Sequence, residues 1–454
     1  MSVLFSRIPS LKVICAQALV GIVVFVGFST ASTFLAEPLQ AQRERNRDRD
    51  RASERPQVSE GFLAVYGPLQ TAIGANDGSA AGVVDQFPAL IAQVASADEK
   101  NFAGSLIFNA GVQTGNQALQ LQGVSLMIES GKVPPENAGR FNFIAYQLAN
   151  IAGQYARSRD YLQTAIDLNF RTEQVQLPDM QIAMAESYIS EERYQDGVDN
   201  IINAIVSAEA MDREVPEGWY RRGVQLSYDN ELVPEVYTIL QGWLIDYPSQ
   251  DSWQNSTGIV RNLNTLDAGQ MLDMMRLAHR VGVMTTKYDY IDYVEAADAR
   301  KLPGEVKRII EEGYNTGLVS RDDIDVADAL VIANDRIDTD KADLPLLEAD
   351  ARLPDASFRT VVAAGDALLS YEDYAGAEVM YTKALEISDL EQDKILTRLG
   401  IAQIEQSKLS EATVTLGRVG GIRFPIAQLW IAHAAHLENV LKLEPEVESF
   451  SSET

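Results

Sequence analysis

The feature that most restricts this chain is a small residue that returns about every 36 positions. Counting back from Val419, compact residues stand at Ala384, Ala349, Gly313, Ala278, Gly242, Ala204 and Ala165, in steps of 35, 35, 36, 35, 36, 38 and 39 residues. Between them apolar residues recur three and four apart, as in Phe143, Ile144, Leu148 and Ile151, or Val198, Ile201, Ile202 and Ile205. That spacing places them on one helical face. The helices are short and come in pairs separated by Gly, Asp, Ser or Pro. Alternating β-branched runs bounded by hairpin turns are missing, so the sequence predicts an all-α protein. A unit of two short helices cannot bury its apolar face alone and must stack on its neighbours. The 454 residues therefore read as one elongated array of helix pairs, not as two or three compact domains.

The last two units show what the period is for. Val361, Ala364, Gly365 and Leu368 lead to Ala377, Tyr381 and Ala384. Then, 35 residues on, come Leu396, Leu399, Gly400 and Gln403, followed by Ala412, Leu416 and Val419, with Pro425 beyond. Trp219, Gly223, Leu226, Ile239, Gly242 and Pro248 form a similar line, as do Tyr188, Tyr194, Gly197, Ile201 and Ala204. Small residues at the glycine and alanine positions let paired helices touch closely while large ones fill the gaps. Over residues 136–441 the chain resembles the tetratricopeptide repeat (TPR) family, with eight candidate helix pairs. The resemblance implies an α-solenoid: a right-handed superhelix of helical hairpins whose first helices line a concave groove that binds peptides or partner proteins. On this reading residues 326–351 form one pair, with Pro345 in the first turn of its second helix. Residues 424–441 form a capping helix over the last apolar face, its histidines keeping that end wet. Residues 59–135 hold four divergent helices, at 62–73, 83–94, 103–112 and 117–129.

The 38 basic and 65 acidic residues give a net charge of −27, which argues against nucleic acid and against anionic lipid as partners of the folded part. Residues 1–41 have the order of a secretory signal. Arg7 and Lys12 stand without an acid, an apolar run follows over 19–28, and then come Ser29, Thr30, Ala31, Ser32 and Thr33. Cleavage is expected after Ala36 or Ala41; the alternative is retention as an anchor, since residues 16–36 are long enough to span a bilayer. The expected location is thus the periplasm of a bacterial envelope, with membrane contact only through an uncleaved leader. The sole cysteine, Cys15, precedes the apolar run. It is not placed for lipidation, and it permits neither a disulfide nor a cysteine metal cluster. Residues 42–58 form a charged linker, with six arginines against four acids over 43–55, and residues 442–454 an acidic tail.

Motifs that could carry catalysis are weak. Gly78, Ser79 and Gly82 lack the spacing of a nucleophile elbow. Ser130, Gly131 and Lys132 lack the rest of a phosphate loop. Asp338, Asp340 and Asp343 lack the third ligand and the final glutamate of a calcium loop. The three histidines, His279, His433 and His436, fall short of a metal set. No catalytic, cofactor or metal residue is expected. The groove positions of the repeat instead supply Glu186, Glu295, Asp298, Asp335, Asp366 and Glu405, with Tyr220 among the apolar ones and no lysine or arginine. That departs from family members that clamp a terminal carboxylate with basic residues. It favours a basic or amphipathic protein segment. A solvated acidic face without function is the plainer alternative. Two further alternatives are an envelope enzyme acting on cell-wall glycan, with a carboxylate pair drawn from residues 62–129, and a membrane-anchored tether.

Overall fold

The computed structural model describes Pro56 and residues 58–443. The leader with Cys15, the arginine-rich part of the linker and the tail from Glu444 onward lie outside the described residues. The described chain is all-α, with no strand among these residues. Twenty helices follow one another: α1 Glu60–Gly74, α2 Phe87–Ala92, α3 Ala97–Thr114, α4 Gln117–Glu129, α5 Pro135–Ile151, α6 Tyr155–Asp167, α7 Leu177–Ile189, α8 Tyr194–Ala210, α9 Glu217–Asp229, α10 Glu235–Asp246, α11 Gln250–Leu263, α12 Ala268–Arg280, α13 Lys287–Ala297, α14 Pro303–Thr316, α15 Ile324–Arg352, α16 Phe358–Ser370, α17 Tyr374–Ile387, α18 Gln392–Glu405, α19 Leu409–Leu416 and α20 Phe424–Leu443. None of them is both long and apolar enough to cross a membrane.

Helix starts are written locally. Ser96 and Glu99 form a capping box on α3, Asp267 and Gln270 one on α12, and Thr286 and Asp289 one on α13. Each satisfies backbone N–H groups that the first turn leaves without partners. Successive helices pack as tandem hairpins, α3 on α4, α5 on α6, α7 on α8, α9 on α10 and α16 on α17. The small residues of the period sit where the helices touch. A Cβ on Gly365 would lie 2.8 Å from the Tyr381 ring, one on Gly400 2.4 Å from Leu416, and one on Gly223 2.9 Å from Ile239. An equally tight approach, against backbone and not side chain, lies outside the repeat. In the α3–α4 hairpin a Cβ on Gly123 would stand 2.4 Å from the backbone nitrogen of Phe108.

Three expectations are corrected. Residues 326–351 are not a helix pair. They belong to the single 29-residue helix α15, which runs through Pro345 and buries only Val326, Ala333 and Ala351. Ala349, which the period would bury, is exposed. The stretch Asp338, Thr339, Asp340 offers no turn, and without one the chain continues as helix. Residues 83–94 are not one helix either: a 3-10 segment, Ser79–Gln86, leads into the short α2. Finally, α20 is no wet end cap. It packs back on α10, α11, α12, α18 and α19, burying Trp430 and Ala432 completely and leaving His433 8% exposed. The apolar residues at 426, 427, 429–432 and 434 surround nearly the whole helix, which demands burial on several sides.

These contacts predict opposite outcomes for two glycine substitutions. Gly123→Ala forces backbone against backbone and should cost about 2 kcal/mol or more. Gly258→Ala, in the middle of α11 with nothing within 4 Å of its Cβ, should gain up to about 1 kcal/mol. Thermal unfolding followed by circular dichroism separates them, and a Gly123→Ala melting point at or above that of the parent would contradict the packing described.

Candidate functional site

The densest polar cluster is built on α12, most of whose residues are buried. Asp273 is fully buried there, and a bare carboxylate in that position would be prohibitively costly. Three guanidinium groups meet it. Arg276, one turn along, approaches at 3.1 Å; Arg398 of α18 donates its Nε at 3.1 Å; Arg423 donates Nη1 at 2.5 Å. Each arginine is also placed by its own neighbours. Arg276 donates through Nε and Nη2 to the two oxygens of Glu305, at 2.8 and 2.7 Å, and the Tyr293 hydroxyl donates to Glu305 at 2.7 Å. Arg398 donates to Asp366 at 2.6 Å, and so does the Tyr381 hydroxyl at 2.7 Å. The backbone carbonyl of Asp273 accepts from the Trp430 indole at 3.1 Å. Three carboxylates thus face three guanidinium groups, and the buried charge is balanced. Gly269 leaves the room: a Cβ there would come within 3.3 Å of Arg423 and 3.6 Å of Arg398.

The electrostatics follow. Burial by itself raises the Asp273 carboxyl, yet Arg398, Arg423 and Arg276 together hold it below the usual carboxylate range. Glu305 is likewise raised by burial and carried back below its ordinary value, chiefly by Arg276. Beside this cluster Arg280 donates to Glu405 at 2.7 Å and to the Tyr374 hydroxyl at 2.7 Å. Burial outweighs Arg280 at Glu405, whose carboxyl is raised. His433 lies between the edges of Trp253 and Trp430, and its Nδ1 finds no hydrogen-bond partner. Burial pushes this imidazole down to about 4, with the charges of His436 and Arg280 adding to the effect.

The seven groove residues read from the sequence do not converge. Asp366 belongs to the cluster just described, and Glu405 to the adjoining pair with Arg280. Tyr220 is buried, its hydroxyl donating to Asp246 at 2.6 Å. Glu186 lies 3.4 Å from Arg222. Asp298 closes the turn after α13, accepting from the Arg300 N–H and pairing with Lys301 at 3.3 Å. Glu295 and Asp335 are exposed on α13 and α15. Four of these acids have a basic neighbour from outside the groove positions: Arg222 at Glu186, Lys301 at Asp298, Arg398 at Asp366 and Arg280 at Glu405. Sequence reasoning missed Asp273, although a lone acid inside Met271, Leu272, Met274 and Met275 was a signal. It also missed Arg423, whose partner is 150 residues away.

Other polar groups are engaged locally. Glu99, the most buried acid of residues 62–129, accepts the backbone N–H groups of Ser59, Ala95 and Ser96. A cleft of about 480 Å³ between α14 and α15 is lined by Lys307, Arg308, Glu311, Glu312 and Lys341 among others, so its charges largely offset one another. Among the described residues no three of His, Cys, Asp and Glu gather in a way that could hold a metal ion.

Two measurements test this site. Asp273→Asn leaves three guanidinium groups without their shared carboxylate, and loss of one partner from a buried ion cluster costs about 3–5 kcal/mol; urea unfolding at pH 7.5 should show that loss, and a change under 1 kcal/mol would exclude a central role. His433 titrates lower when folded than unfolded, so the unfolded chain binds the extra proton as pH falls from 6.5 towards 4 and stability drops across that window. The drop attributable to it is on the order of 3 kcal/mol. His433→Phe should flatten that part of the pH profile, and equal slopes for both proteins would refute the assignment.

No family model matches the chain, and no curated protein matches it. Among solved structures it is similar to the TPR2AB-domain:pHSP90-complex of yeast Sti1, at 13% identity over 67% of this chain and 96% of that one, with a TM-score of 0.21. A circular tandem repeat protein with novel repeat topology and enhanced subunit contact surfaces is similar at 13% identity over 84% of this chain and 96% of that one, with a TM-score of 0.11. Scores of that size add nothing to the helical architecture already described.

Proposed function

We propose that the protein is a non-enzymatic interaction scaffold that holds a basic or amphipathic segment of another protein, and that it works in the periplasm after export by its leader. The observation that carries this reading is where the apolar side chains lie. Ile324, Val331, Leu346, Leu390 and Val414 are 59–74% exposed on a chain with a net charge of −27. Isolated exposed apolar residues are ordinary, but acids interleaved with several of them suit a partner that brings lysine or arginine together with its own apolar face. The interior offers no comparable opening around Asp273, since the cluster there satisfies itself.

The test is titration of the full chain into a synthetic 24-residue helix with leucines three and four apart and lysines between them. Binding should weaken steeply between 50 and 300 mM salt, and a glutamate version of the same peptide should not bind. Equal binding of both peptides would overturn the basic-partner reading. Release of soluble fragments from cell-wall glycan by the purified protein would overturn the non-enzymatic one.

A further inference from the structure

Helix α15 has apolar residues on both sides. At 100° per residue, Val326, Leu330, Ala333, Ile337, Leu344, Leu347 and Ala351 share one face. They are buried or half-buried, and Leu330, Leu344 and Leu347 pack against the core. The opposite face carries Ile324, Asp328, Val331, Asp335, Asp338, Ala342, Leu346, Ala349 and Leu353, in steps of three and four, and every one of these is exposed. Ile324 is 74% exposed, Val331 59%, Leu346 67% and Leu353 51%. No cation lies within ion-pair distance of Asp328, Asp335 or Asp338 among the described residues, although Arg336 and Lys341 flank them. A surface helix needs one apolar stripe, facing the core. This one has a second, about 43 Å long at 1.5 Å per residue, with apolar ends and an acidic middle.

The helix is also poorly sustained by what surrounds it. From 334 to 350 no residue is fully buried, and Pro345 sits in the interior, where it removes a backbone donor and crowds the preceding turn. Helices in proteins are held mainly by packing of an apolar face, and here one apolar face packs only partly while the other is bare.

We infer that the outer face of α15 is a docking surface for a basic amphipathic helix of a partner protein, its apolar residues meeting Ile324, Val331, Leu346 and Leu353 and its lysines or arginines meeting Asp328, Asp335 and Asp338. Two antiparallel or parallel helices paired over this length bury the second stripe in the manner of a coiled-coil seam. The three aspartates supply the charge half of the match and the alternating apolar positions supply the spacing. The inference rests on the basic-partner reading and names the surface that serves it.

The experiment uses the same lysine–leucine peptide and the full chain. Replacing Asp328, Asp335 and Asp338 together by lysine should weaken binding at least tenfold at 50 mM salt. A control with Asp85, Asp160 and Glu173 replaced by lysine changes net charge equally, on residues that are also exposed, and should change binding less than threefold. Val331→Ser with Leu346→Ser should weaken binding at least fivefold without altering the charge. Unchanged circular dichroism spectra confirm that the variants fold. If both triple variants weaken binding alike, or the serine variant does nothing, the surface assignment is wrong and the basic-partner reading stands. If the parent chain does not bind the peptide at all, both fall. A photo-crosslinker at Val331 in the native cell should capture a segment with lysine or arginine at helical spacing. An adduct with a second copy of this chain, with its own residues 43–55, or with no basic segment overturns the inference.

Discussion

Asp273 sets the terms for the carboxyl half of the molecule. A carboxylate that is fully out of water can remain charged only if cations and donors replace the lost hydration. The three that do so come from α12 itself, from α18 and from the short turn before α20, at sequence separations of 3, 125 and 150 residues. Satisfying one acid therefore fixes where three distant elements must meet. The indole of Trp430 adds a fourth tie to the same residue, through its backbone carbonyl. Such clusters add little net stability compared with apolar packing, but they punish every misaligned arrangement by leaving a charge without its partner. Position, more than strength, is what this cluster provides.

That meeting changes what a tandem array can do. In an open stack of helix pairs each unit touches only its neighbours, and the groove stays available to ligands. Here α20 returns to α10, α11 and α12, and the acids and arginines of the adjoining helices are spent on one another. The surfaces left with unmatched chemistry are outside. Helix α15 has the clearest case, since one side carries half-buried leucines and the other bare aliphatic side chains around three aspartates.

Much of the architecture was legible from spacing alone. Gly365 against Tyr381 and Gly400 against Leu416 meet because a 35-residue period encodes a local event, the crossing of two helices joined by a short turn. Local events leave local marks. The return of α20 left almost none, because its contacts depend on residues more than 150 positions apart, and an apolar run before a charged tail reads equally well as a cap. The seven groove residues are scattered for the same reason. Asp366 and Glu405 lie in regular units and fall beside other functional groups of the interior, while Asp298 and Asp335 lie where the period breaks, so their register positions no longer report which way they face. Arg276 and Arg398 carry no local mark of their role, because a charged residue in an apolar helix has the same spacing whether it is solvated or, as here, paired in the interior.

The 150 residues between Asp273 and Arg423 also impose an order in time. At roughly 5–20 residues per second of synthesis, Asp273 emerges about 8 to 30 s before its last cation does. Until then α12 carries an acid that cannot be withdrawn from water at reasonable cost, so the middle of the chain stays open while the amino-terminal hairpins, whose contacts are local, are free to form. Closure around Asp273 is thereby reserved for a chain that extends at least to Arg423.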